Sequence, residues 1–108
     1  MMDKNTQETI RAFLLDYPRR ESIAAAHLEQ SNGERSESLR AFMSWNERID
    51  KALTVIDEPL RVGMFQDVAK GTGYRKSPLR ELLTIHRYYT LKNKCLESLA
   101  RALNLILI

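Results

Sequence analysis

The stretch Thr84-Ile-His-Arg-Tyr-Tyr-Thr-Leu-Lys-Asn-Lys-Cys-Leu-Glu-Ser-Leu-Ala-Arg-Ala-Leu103 decides how this chain is read. Tyr88, Leu91, Cys95, Leu99 and Leu103 recur at spacings of three, four, four and four, which is one face of an α-helix. The spacing predicts a helix from Thr84 or His86 to about Asn104. At about 100° per residue, His86, Arg87, Thr90, Asn93, Lys94 and Arg101 point away from that stripe. Immediately before it, Ser77-Pro78 reads as the start of a short helix, a hydroxyl cap followed by proline at the first helical position. Leu79, Leu82 and Leu83 supply its apolar side. Residues Thr72–Lys76 read as loop, and Gly71 as the residue that closes the preceding helix. That helix begins at an expected Asp57 cap, with Glu58 and Pro59 in its first turn, and turns Leu60, Met64, Phe65 and Val68 inward.

Further out, Phe42, Trp45, Ile49, Leu53 and Ile56 predict a helix from near Ser36 to about Ile56, with Phe42 and Trp45 in the core. Ser31-Asn32-Gly33 breaks the chain before it, and Ala24, Ala25, Ala26 and Leu28 favour helix by propensity. The first helix runs from about Lys4 to Tyr17, with Ile10, Phe13, Leu14 and Tyr17 on one face. Pro18 ends it or opens the next. Only 4 glycines and 3 prolines occur, and no segment alternates apolar and polar residues. The expected fold is therefore all-α, a small helical bundle with a C-terminal helix-turn-helix. Residues 4–56 form a helical N-terminal region and residues 57–104 a DNA-binding module.

The 108 residues are one domain's worth of chain, and 44% apolar residues suffice for a core. The single cysteine, Cys95, rules out an internal disulfide framework and fits a reducing cytoplasm. It falls in the apolar stripe and reads as a buried core residue. His27 and His86 are far apart in sequence, so no metal site is expected. No apolar run approaches the roughly 20 residues that span a bilayer, and Met1–Glu8 lacks the apolar stretch of a signal peptide. Leu105–Ile108 is expected to pack on the core or on a partner. Gly71-Thr72-Gly73 lacks the spacing and the Lys-Ser/Thr pair of a phosphate loop. Asp57-Glu58 is explained as a helix cap. No enzyme constellation and no cofactor are expected.

The net charge of +3 is mild, but it is unevenly placed. Residues 1–54 carry eight basic and nine acidic side chains, and residues 55–108 nine basic and five acidic. Within residues 70–94, Lys70, Arg75, Lys76, Arg80, Arg87, Lys92 and Lys94 face one acid, Glu81. A basic segment attracts nucleic-acid phosphates and releases their condensed counterions. A short helix, a tight turn and a longer helix is the order of a helix-turn-helix, whose second helix reaches base edges in the major groove. The partner expected is double-stranded DNA. Candidate contacts are Arg75, Lys76, Ser77, Thr84, His86, Arg87, Tyr89, Thr90, Asn93 and Lys94. Arg87 suits a bidentate guanine contact and Asn93 an adenine. Thr90 suits a thymine methyl or a phosphate, and Lys92 and Lys94 suit phosphates. Tyr89 is read either as a phosphate donor or as packing. The rival expectation is a helical adaptor that binds a protein, such as an anti-repressor or a packaging component.

Thr84 through Leu103 also resembles the C-terminal end of the ArpU/RinA group of phage transcriptional regulators, which are similar to the region-four helix-turn-helix of sigma factors. Thr84 matches the hydroxyl start and Tyr88-Tyr89 the aromatic pair. Lys92 and Lys94 match the basic stretch, and Leu96, Leu99, Ala100 and Leu103 the closing apolar pattern. Leu14-Leu15-Asp16-Tyr17-Pro18, followed by Ile23, is similar to the group's opening helix. The short Pro78–Leu83 segment departs from it. The resemblance implies control of late phage genes, such as those for packaging or lysis, by binding DNA near a promoter in the cytoplasm of a bacterial host. It leaves residues 4–56 for packing, homodimerisation or contact with RNA polymerase or another transcription protein.

Overall fold

A computed structural model describes residues 2–30 and 37–105. The fold of these residues is all-α, with no strand among them. The α-helices are α1 (Lys4–Leu15), α2 (Tyr17–Gln30), α3 (Glu37–Ala52), α4 (Glu58–Lys70) and α5 (Ile85–Ala102). Tighter 3₁₀ turns occupy Leu53–Val55, Tyr74–Lys76 and Pro78–Glu81. The expected break at Ser31–Gly33, the helix start at Ser36, and Ile106 to Ile108 lie outside the described residues. None of the described helices is long and apolar enough to cross a membrane.

The α5 stripe drives the packing. Tyr88, Leu91, Cys95, Leu99 and Leu103 are all buried, as their spacing requires. They join Ile10 and Leu14 of α1, Ile49 and Ala52 of α3, and Met64 and Val68 of α4 in one core cluster. Ser98 of α5 donates to the Ala52 carbonyl at 2.9 Å, closing the α3–α5 contact. Arg11 of α1 reaches the Ala69 carbonyl of α4 at 3.4 Å. Residues 4–56 and 57–104 thus contribute to a shared interior.

A buried arginine shapes the bend between α1 and α2. Pro18 has no N–H, so it is tolerated only in the first turn of a new helix. The chain accordingly turns at Asp16, whose N–H closes α1 on the Ala12 carbonyl at 3.1 Å. Arg20 then points inward and is 4% exposed. It donates to Asn46 Oδ1 at 2.6 Å, to the Phe13 carbonyl at 2.6 Å and to Asp16 Oδ2 at 3.1 Å. Asn46, also buried, donates to the Tyr17 carbonyl at 3.1 Å. A buried guanidinium is tolerable because its donors are matched in this way.

Several local expectations are corrected. The helix expected to reach Ile56 ends at Ala52, and the chain tightens into 3₁₀ over Leu53–Val55. Phe42 and Trp45 are half-buried rather than core. Trp45 lies at the core's edge, 5.0 Å from the Phe13 ring, with Arg48 4.9 Å over its face. Asp57 sits at the N-cap of α4 but its side chain makes no cap bond. Its carbonyl accepts from the Leu60 N–H at 2.8 Å instead. Ser77-Pro78 does open a helical segment, but it is a single 3₁₀ turn of 4 residues. That turn stops at Glu81, so Leu82 leaves on the outer side and is 67% exposed.

Candidate nucleic-acid interface

The chain between α4 and α5 is irregular, and three devices hold it in place. Gly71 closes α4 in the left-handed conformation, φ 68°, where a Cβ is disfavoured. Tyr74 donates its hydroxyl to the Leu83 carbonyl at 2.7 Å, bracing the two 3₁₀ turns against each other. The third device is Asp67, a carboxylate 3% exposed near the end of α4. It accepts from the hydroxyls of Ser77 and, at 2.9 Å, of Tyr88. Ser77 Oγ in turn accepts from the Leu79 N–H at 3.0 Å, capping the second 3₁₀ turn. A single carboxylate therefore ties α4, the connection and α5 together. Burial first, and the neighbouring Asp67 carboxylate second, raise the Tyr88 phenol above its ordinary value, so it stays a donor.

Thr84 is the N-cap of α5, and its Oγ1 accepts from the Arg87 N–H at 3.2 Å. This is the cap expected of a hydroxyl at that position. The exposed side of α5 falls into three strips. Ile85 and Tyr89 line a groove together with Lys70, Arg75 and Lys76. Arg87 and Lys94 lie within about 20° of each other, and about 160° around the helix from Tyr89. His86 and Thr90 run between the two flanks and carry no carboxylate. Glu97, an exposed acid paired with Arg101 at 3.9 Å, ends that middle strip. Among the described residues, none of Lys70, Arg75, Lys76, Arg87 and Lys94 is in an ion pair.

Arg75, Lys76, Thr84, His86, Arg87, Tyr89, Thr90, Asn93 and Lys94 are therefore on the surface. The Arg75 carbonyl accepts from the Arg80 guanidinium at 3.1 Å, and Arg75 itself is exposed. Thr90 is exposed and donates its hydroxyl to the His86 carbonyl at 2.9 Å. Asn93 lies farther along α5, beside a hollow lined by Met2 and Gln7 of the N-terminal segment. Two expectations change. Ser77 is buried, with its hydroxyl spent on Asp67 and on the Leu79 N–H, so it presents nothing to a ligand. Lys92 is not a free phosphate contact. Its ammonium donates to the Thr72 carbonyl at 2.8 Å and sits 5.7 Å over the Tyr88 ring.

Asp67 carries no spacing signal and was not singled out as part of the site. The cue available in sequence was an acid placed three residues after Met64 and next to Val68, on the face that turns inward. Cys95 is buried, and burial pushes its thiol up to about 12, with Lys92 opposing weakly. It is inert near neutral pH. Neither a known protein family, nor a curated protein, nor a solved structure matches this chain.

Proposed function

We propose that this chain is a sequence-specific, double-stranded-DNA-binding transcriptional regulator that lays the N-terminal half of α5 along the major groove. The observation that carries the reading is the arrangement of charge around α5. Arg87 and Lys94 stand on one flank, Lys70, Arg75 and Lys76 on the other, and a polar strip of His86 and Thr90 runs between them. A helix in a major groove about 12 Å wide has a phosphate backbone on either side and base edges beneath. Flanking cations then position the helix, and the strip between them reads. In this reading the two 3₁₀ turns before α5 and the long link back to α4 depart from the standard helix-turn-helix, and the Asp67 network serves in place of its tight turn.

The likeness of Thr84–Leu103 to phage late-gene regulators supports a role at the promoters of packaging or lysis genes. In that reading α1, α2 and α3 serve homodimerisation or contact with RNA polymerase. A second reading, a protein-binding helical adaptor such as an anti-repressor or packaging component, is favoured by exposed Val62 and Leu82, 70% and 67% accessible.

A salt titration of duplex binding, by gel shift or fluorescence anisotropy, separates the two. The log of the affinity should fall linearly with log salt, with a slope set by the number of phosphates neutralised. Arg87→Ala should relax sequence preference, whereas Lys94→Ala should weaken all sequences alike and lower the slope by about 1. No binding to any duplex at low salt sinks the DNA reading and leaves the adaptor standing.

A further inference from the structure

We infer that the groove between residues 70–76 and the first turns of α5 is a seat for one nucleotide unit, its phosphate and attached sugar, supplied by a DNA strand. The inference rests on the DNA-binding reading and names what the groove-side flank of α5 holds. The groove is open to solvent and offers about 480 Å³, more than a bare phosphate fills. Its walls divide by chemistry. Lys70, Arg75 and Lys76 provide three cations, and no carboxylate lines the groove. Its lining also includes Ile85, 57% exposed, and Tyr89, 41% exposed. The bases of a duplex are stacked inside it, so the part of a backbone unit left to pack against Ile85 is its sugar.

The Tyr89 hydroxyl adds direction. It accepts the Tyr74 N–H at 3.3 Å, which orients the phenol and leaves its own proton to donate. Its ring is held edge-on by Tyr88 at 5.0 Å, and Tyr88 is fixed by Asp67. The donor is therefore placed by the same network that places α5. A phosphodiester oxygen entering the groove meets a fixed hydroxyl and three mobile cations, which is how one phosphate is held in register while neighbouring ones are held by charge alone.

The test uses full-length wild type, Lys76→Ala and Tyr89→Phe, each checked for an unchanged thermal melt. Each is titrated with a mixed-sequence duplex and, by amide chemical shifts, with thymidine 5′-monophosphate. Lys76→Ala should lower the salt slope by about 1. Tyr89→Phe, which loses a hydroxyl and no charge, should weaken duplex binding roughly three- to tenfold with the slope unchanged. If both variants bind duplex as wild type does while Arg87→Ala and Lys94→Ala bind more weakly, the seat is overturned and the DNA reading survives. Saturable shifts with the free nucleotide alongside unaffected duplex binding also overturn it, making the groove a small-molecule site. If wild type binds no duplex at low salt, the DNA reading itself fails and the seat for a DNA strand falls with it.

Discussion

Asp67 accepts two hydroxyl protons in a place where water does not reach. Asp67→Ala leaves the Ser77 and Tyr88 hydroxyls without their acceptor, at a cost of about 3 kcal/mol. Asp67→Asn keeps an acceptor oxygen and should cost roughly half as much. Urea unfolding curves measure both. Cys95 gives a pH signature. Its folded thiol is raised to about 12 from an ordinary 9.0, so above pH 9 the unfolded chain loses a proton that the folded chain keeps. Stability from this group is complete below pH 9 and declines as pH rises, by up to about 1.4 kcal/mol per pH unit. Above pH 10 the phenols of half-buried Tyr17 and buried Tyr88, both raised, add to the loss. Between pH 9 and 10, Cys95→Ala should flatten the decline in the urea midpoint. An unchanged slope would mean that the thiol is not buried in solution.

Among the elements, α5 was legible almost residue by residue. All five stripe residues are buried, and Thr84 caps the helix as a hydroxyl at that position should. The connection before it was not. Reading Leu79, Leu82 and Leu83 as one apolar side presumed a continuous helix, and the 3₁₀ turn ends before Leu82. Ser77 was recognised as a cap, and that is why it fails as a DNA contact: a hydroxyl that caps a turn and donates to Asp67 has nothing left to offer. Gly71 was placed correctly as the end of α4, and its positive φ supplies the reason. Gly71→Ala should destabilise the chain by about 1 kcal/mol, because alanine resists the left-handed conformation and its Cβ would lie 3.2 Å from the Arg11 guanidinium carbon. A shift in the melting midpoint reads this directly, and no shift would mean that α4 ends differently in solution.

Across the whole molecule, the boundary drawn between residues 56 and 57 crosses a single interior. Ile10 and Leu14 from the start of the chain pack in the same cluster as Cys95 and Leu99 from its end. Unfolding should therefore be one cooperative transition, with near- and far-ultraviolet signals coinciding. A fragment of residues 57–105 would expose the α5 stripe that α1 and α3 cover, and should show no cooperative melt by circular dichroism. A cooperative fragment would establish the C-terminal stretch as a domain in its own right.

What the sequence determined by itself was periodicity and charge. The 3.6-residue spacing of apolar side chains commits each segment to helix and names its inner face, since burying apolar area is the dominant favourable term. The concentration of basic residues in 70–94 was also plain before any folding. Tertiary structure decided which of those residues reach solvent and where they face. Lys92 turned inward to the Thr72 carbonyl, Ser77 was buried, and Arg87 and Lys76 came to opposite flanks of one helix. The first two outcomes depend on partners in other segments, the Thr72 carbonyl for Lys92 and Asp67 for Ser77, and periodicity along one segment carries no information about a partner on another.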